Sequence, residues 1–173
     1  AKALEGSDVK IAAVVGFPLG ACSDSVKGYE TDFCCDYGAG EVDMVLNVGA
    51  MKDKRYDYIR QEIADVVEIA NGYGAKVKVI LETCLLTDEE IVKACKLAVE
   101  AGAAFVKTST GFSKAGATAH HVKLMKDTVG NKCQVKASGG IRDLKTVMEM
   151  IEAGADRIGA SASVAIMEEY QKK

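Results

Sequence analysis

Apolar runs of five to eight residues alternate with longer stretches of helical period along the whole chain. The runs are Lys10–Phe17, Glu41–Asn47, Lys76–Glu82, Ala104–Thr110, Gln134–Ser138 and Arg157–Ser161. Each is a short apolar run, often β-branched, that follows a turn or helix end, the pattern of a strand. Between them, "YDYIRQEIADVVEIANGYG" keeps Ile59, Ile63, Val66, Val67 and Ala70 on one helical stripe. Thr87 with Glu90 forms a capping box, and Thr118 and Asp143 stand where N-caps belong. A Gly-Ala pair directly precedes an apolar run in "YGAGEVDMV", "YGAKVKVI", "AGAAFVK" and "AGADRIG", with Gly130 a looser copy. Glycine suits the residue after a helix, where φ turns positive. Strand then helix, repeated at intervals of about 25–35 residues, predicts an α/β fold with a parallel sheet.

The polar positions decide between an open, doubly wound sheet and a closed barrel. Asp43 and Asn47, Lys107 and Ser109, and Lys136 and Ser138 fall on alternate positions near the C-terminal ends of three strands. An open sheet buries both faces under helices and tolerates no such set. A barrel turns one face of every strand inward, and its upper layer is the active site. The expected fold is therefore a (β/α)8 TIM barrel in a single domain over residues 1–173. Eight strand–helix units are needed and about six are counted. The opening "AKALEGSD" reads as the last turn of a helix, so the first two units are expected upstream of Ala1.

Composition narrows the function. The 173 residues carry a net charge of −3, which argues against nucleic acid as a partner. The basic run Lys52-Asp53-Lys54-Arg55 reads as a solvated loop. No apolar run approaches the roughly 20 residues that cross a bilayer, and the first residues lack the order of a signal peptide. The six cysteines form no CxxC pair and read as reduced thiols of a cytoplasmic protein. His120 and His121 are sequence neighbours that would point about 100° apart on a helix. No metal site is expected.

Lysine in a buried strand demands a reason, because an unpartnered buried ammonium is costly. Asp43, Lys107 and Lys136 stand at comparable heights on three strands. One reading is a structural ion pair with the second lysine reaching solvent. The other is an amine nucleophile, which burial and a neighbouring cation help to keep neutral, with a carboxylate to carry protons. Those are the parts of Schiff-base chemistry. Gly111 follows one lysine strand, Gly139-Gly140 the other, and Ser161 ends the last. Glycine turns there let backbone N–H groups approach a phosphate. The substrate expected is a phosphorylated carbonyl compound.

The segments "VVGFPLGA", "EVDMVLNVGAM", "VILETCLLTDEE", "FVKTSTGF" and "VKASGGIRDLKTVMEMIEAGADRIGASASVAI" together resemble the deoxyribose-phosphate aldolase family over nearly the whole chain. The resemblance implies a class I aldolase, a carbon–carbon lyase that needs no cofactor or metal. It would reversibly cleave 2-deoxy-D-ribose 5-phosphate into acetaldehyde and D-glyceraldehyde 3-phosphate, in cytoplasmic deoxyribonucleotide catabolism. It makes Lys107 the Schiff-base lysine, Lys136 the neighbour that perturbs it and Asp43 the proton-relay acid. It places the substrate phosphate on Thr110, Gly111, Gly139, Gly140 and Ser161. Small molecules are the expected partners, with no nucleic acid, no membrane and a homo-oligomer in view. Where the family has consecutive serines, this chain has Ser161-Ala162-Ser163. The alternatives are another phosphate-binding barrel lyase or isomerase, and a non-catalytic sugar-phosphate-binding or inactive barrel fragment.

Overall fold

Period-two polarity and the glycine joints come together in a computed structural model that describes residues 2–172. After a 3₁₀ turn at Lys2–Leu4 the order is β1 (Ala12–Val15), α1 (Asp24–Asp36), β2 (Glu41–Val45), α2 (Val48–Lys52), α3 (Tyr56–Gly72) and β3 (Lys76–Ile80). A second 3₁₀ turn at Thr83–Leu85 leads to α4 (Asp88–Glu100), β4 (Phe105–Lys107), α5 (Ala119–Val129), β5 (Gln134–Ser138), α6 (Leu144–Glu152), β6 (Arg157–Gly159) and α7 (Ser163–Gln171). All six strands are parallel and lie in sequence order from β1 to β6. Every expected strand exists; Gln134–Ser138 keeps its bounds and the other five are trimmed. The one helix without a sequence signal is the five-residue α2, whose Asn47 N-cap accepts the Ala50 N–H. Asn47 thus leaves the alternating polar set and serves a helix.

The other helix signals hold. Thr87 and Glu90 make a reciprocal capping box on α4, Thr118 caps α5 and Asp143 caps α6. Gly38, Gly74, Gly102, Gly130 and Gly154 all have positive φ after their helices, as the joints require. Lys52, Asp53, Lys54 and Arg55 are exposed. His120 and His121 do not diverge. The His120 Nε2 lies 2.7 Å from Oδ2 of Asp88 and the His121 Nε2 lies 4.0 Å from its Oδ1, because α4 presents that carboxylate between them. All six cysteines are free.

The sheet's two faces differ in kind. Val42, Met44, Val77, Val79, Val106, Val135 and Ala137 are buried and belong to the main apolar core with residues of the helices. The alternate residues face the other way, in a register that aligns Asp43 with Lys78, Ile80 with Lys107, Lys107 with Lys136, and Lys136 with Arg157. Curvature follows from one contact. Arg157 on β6 donates to both oxygens of Glu41 on β2 at 2.9 and 2.7 Å, although four strand spacings on a flat sheet would separate them by about 19 Å. The sheet is therefore rolled into a half-barrel with those residues on the concave side. Its edges are β1 and β6. On the β1 edge Val14, which pairs with Asp43, is half-exposed.

Candidate active site

Six charged side chains crowd the concave face: Glu41 and Asp43 from β2, Lys78 from β3, Lys107 from β4, Lys136 from β5 and Arg157 from β6. Asp43 is at the centre. Its Oδ1 accepts Lys78 Nζ at 2.8 Å, while Oδ2 accepts both Lys107 Nζ at 2.9 Å and Lys136 Nζ at 3.1 Å. Beneath it Lys78 Nζ also reaches Glu41 at 2.6 Å, and Glu41 is held by Arg157. Phe105 fills the floor, with the Arg157 guanidinium carbon 4.6 Å and Lys78 Nζ 5.6 Å from its ring centre.

Charge balance separates this cluster from an ordinary ion pair, since four cationic groups face two carboxylates. Burial pulls the Asp43 carboxyl up, but the Lys107 charge, hydrogen bonds from Lys78 and Lys107, and the Lys136 charge outweigh it and hold the group at about 2. Burial pushes the Lys136 amine down; Asp43 opposes that, and the charge of Lys107 adds to it. Glu41 is lowered against its own burial by Arg157 and Lys78. A cluster with surplus positive charge attracts anions and disfavours full protonation of its amines.

The chain after Lys107 is built to hold the two upper lysines side by side. Beyond the last ladder residues, the Thr108 hydroxyl donates to Ser138 O and accepts from Ser138 N, both at 3.0 Å. The Ser138 hydroxyl donates to Ser109 O at 2.7 Å. These bonds prolong the β4–β5 contact into the loops and give the Thr108 hydroxyl of "KTST" its part. Ala117 N donates to Ser138 O and Gly139 O, folding the β4 loop back over the β5 loop. At Gly116 a Cβ would stand 2.1 Å from Gly139 O, so only glycine fits that crossing.

Over the lysines opens a cavity of about 470 Å³. Lys107, Thr110, Gly111, Lys136, Gly139, Gly140 and Ser161 all line it, together with Arg142, Ser138 and Phe112. Asp43 lies below, reached through the lysines. Gly111, Gly139 and Gly140 adopt φ of +89°, +86° and +79°, a backbone that side chains resist. The Thr110 hydroxyl is committed elsewhere, donating to Glu82 at 2.5 Å. A larger hollow of about 550 Å³ lies on α5 and α6, lined by Ala119, Lys123, Leu124 and Glu149. It holds none of the concave-face charges, so the chemistry belongs to the smaller one.

Sequence alternation singled out Asp43, Lys107 and Lys136, and the structure brings them together. It passed over Lys78, Glu41 and Arg157, which obey the same period of two in "KVKVI", "EVDMV" and "RIG". It also passed over Glu82 and the rim cation Arg142. For Lys78 and Glu41 the signal was present and needed only to be followed one step down each strand.

Comparison with known proteins bears on the fold and the family. The pattern of the DeoC/LacD family aldolases matches residues 10–169. A deoxyribose-phosphate aldolase of Clostridium tetani is 61% identical over 168 residues, covering 97% of this chain and 77% of that protein. One from Thermococcus kodakarensis is 57% identical over 164 residues, covering 95% of this chain and 73% of that protein. Among solved structures, the tetrameric deoxyribose phosphate aldolase of Aeropyrum pernix superposes with a TM-score of 0.90 at 34% identity, covering 98% of this chain and 71% of that one. No helix among the described residues is long and apolar enough to cross a membrane. This parallel half-barrel, matched along nearly its whole length, belongs to the deoxyribose-phosphate aldolases of the DeoC/LacD family, a group of lyases.

Proposed function

We propose that this chain cleaves 2-deoxy-D-ribose 5-phosphate reversibly to acetaldehyde and D-glyceraldehyde 3-phosphate through a Schiff base on Lys107. The observation that carries the proposal is the convergence of Lys107 and Lys136 on one oxygen of Asp43 under a glycine-walled cavity. The neutral Lys107 amine attacks the C1 aldehyde of the open-chain sugar, and loss of water gives an iminium. The C3 hydroxyl passes its proton, relayed by Asp43, to the Lys136 amine, the C2–C3 bond breaks, and its electron pair moves toward the iminium to leave an enamine. C3 leaves as the aldehyde of glyceraldehyde 3-phosphate. Protonation of C2 and hydrolysis then release acetaldehyde and restore the lysine. The iminium is the electron sink, so the sequence uses no metal.

Each neighbour has a part. Lys136 places a second amine beside Lys107 on the same Asp43 oxygen, and burial pushes that amine down. Asp43, held at about 2, is ionised at neutral pH and stores a proton poorly. It serves as a relay between the two amines, accepting hydrogen bonds from both on one oxygen. The phosphate lies against Gly111, Gly139, Gly140 and Ser161 with Arg142 at the rim, and Thr110 shapes that wall through its backbone. The proposal carries with it a cytoplasmic role in deoxyribonucleotide breakdown and, from the tetrameric relative, a homo-oligomer that light scattering would test. The one-domain barrel needs two more strand–helix units beside β1 and β6, so the assay is run on this chain and on one extended upstream.

Acetaldehyde plus borohydride tests the mechanism. The expected product is an ethyl group on Lys107 with loss of turnover, while chelators change nothing. An ethyl group on Lys136, with Lys107→Leu still active, would exchange the two roles. Phosphate binding with neither label nor turnover at either length would leave only a sugar-phosphate-binding protein.

A further inference from the structure

Two non-glycine residues among those described have a left-handed backbone, Lys54 and Glu82. Lys54 is in an exposed turn, but Glu82 is only 3% exposed, just past the end of β3. Its φ of 55° and ψ of 61° strain a residue with a side chain. Such strain persists where the surroundings over-determine it, and it clusters at functional sites.

What fixes Glu82 is the loop after Lys107. The carboxylate accepts the Thr110 hydroxyl at 2.5 Å, and both oxygens are 3.4 Å from Thr110 N. The Cys84 thiol adds a weak contact at 3.9 Å. Thr83 N donates to Thr108 O at 2.9 Å, stitching the exits of β3 and β4 together. A threonine hydroxyl has one proton to give. Once Glu82 takes it, the Thr110 oxygen is turned to accept, and it accepts Phe112 N at 3.0 Å. These two bonds grip the loop on either side of Gly111, at the cavity wall.

We propose that Glu82 is a positioning residue for the anion loop: by fixing the direction of the Thr110 hydroxyl it sets the path of Gly111 along the cavity. The inference rests on the phosphate site proposed above. A carboxylate beside an anion site would be adverse if it acted through charge. Glu82 is not on the wall of the cavity over the lysines; it lines a separate hollow of about 100 Å³ with Pro18, Val45 and Leu85. Thr110 borders both spaces. Glu82 therefore acts through shape, and a neutral acceptor of the same size serves equally.

The test uses the affinity of inorganic phosphate by calorimetry, and kcat and KM on deoxyribose 5-phosphate and on unphosphorylated deoxyribose. Glu82→Ala should weaken phosphate binding and raise KM for the phosphorylated sugar about tenfold, the scale of one lost hydrogen bond, with deoxyribose turnover unchanged. Glu82→Gln should stay within about twofold of the wild type, since its amide oxygen accepts the same proton. Glu82→Gly should melt no lower than Glu82→Ala, because the backbone strain is relieved, and still lose phosphate affinity as Ala does. Thr110→Val should lose phosphate affinity to the same extent as Glu82→Ala, and the double variant should lose no more. Unchanged phosphate affinity in the Ala and Gly variants overturns the proposal. So do a Gln variant as impaired as Ala, or equal losses on both sugars. If the wild type binds phosphate but does not turn over deoxyribose 5-phosphate, the aldolase mechanism fails and the phosphate measurements still judge Glu82.

Discussion

Lys27 and Lys107 are both lysines withdrawn from bulk water, and their surroundings differ in one decisive way. Lys27, on α1, is fully buried and donates at 2.8 Å to Glu62 on α3 and at 2.8 Å to Val45 O. One cation meets one anion, and its hydrogen bonds close on the protein. Lys107 shares Asp43 with two other amines and lines a cavity. The acids tell the same story from the other side. Burial outweighs Lys27 and pushes Glu62 up, whereas several cations outweigh burial and hold Asp43 down. A matched, sealed pair organises structure. A cluster with surplus charge and an opening can exchange protons and meet a ligand.

The largest expected effect separates the two lysines by what each one takes away. Lys107→Leu should lower turnover by about 10⁴-fold or more and leave the fold in place, since it relieves a surplus of cations. Lys27→Leu should do the reverse, costing about 3–5 kcal/mol because Glu62 is left buried and unpaired. Urea melts and turnover on both variants check this. Lys27→Leu with Glu62→Leu should regain most of the lost stability. If Lys107→Leu were the less stable of the two single variants, the contrast would collapse.

Acid pH sharpens the contrast. The Asp43 carboxyl lies below its ordinary value near 3.9, so its contribution is present above about pH 4 and is lost as pH falls through about 2. That contribution is roughly 2–3 kcal/mol. Glu62 has the opposite sign: its raised value means that protonation favours the folded state, and its contribution fades as pH rises through the carboxylate range. The stability gap between wild type and Asp43→Asn should therefore close between pH 5 and 2, while the gap to Glu62→Gln should not. Parallel gaps would refute the assignment. The smallest effect is a control outside both regions. Thr87→Ala removes the α4 cap and should cost about 1 kcal/mol with turnover unchanged; altered kinetics would tie α4 to the site.

The sequence carried much of this because β strands declare their faces. Apolar runs after glycine joints placed all six strands, and alternation on three of them brought out Asp43, Lys107 and Lys136 before any contact was known. Strand ends were overextended, as at Lys10–Phe17 against Ala12–Val15, because polarity continues to alternate where ladder partners stop. Helix α2 escaped notice since its five residues depend on the Asn47 cap. The Lys27–Glu62 pair and the Glu82–Thr110 bond left no local trace. They join residues 35 and 28 positions apart through the packing of separate elements, which no single stretch of chain encodes.

The spacing of the lysines also sets a timetable for synthesis. Asp43 meets Lys78 only after 35 further residues, Lys107 after 64 and Lys136 after 93. At about 5–20 residues per second, the reactive amine and its partner leave the ribosome some seconds apart. Through that interval the nascent chain carries Asp43 already paired in sequence with Lys78, but no second upper lysine. Arg157, 116 residues after Glu41, comes later still. The concave layer is therefore completed strand by strand from β2 to the β6 edge, and the capacity for chemistry arrives only as its last cations are delivered.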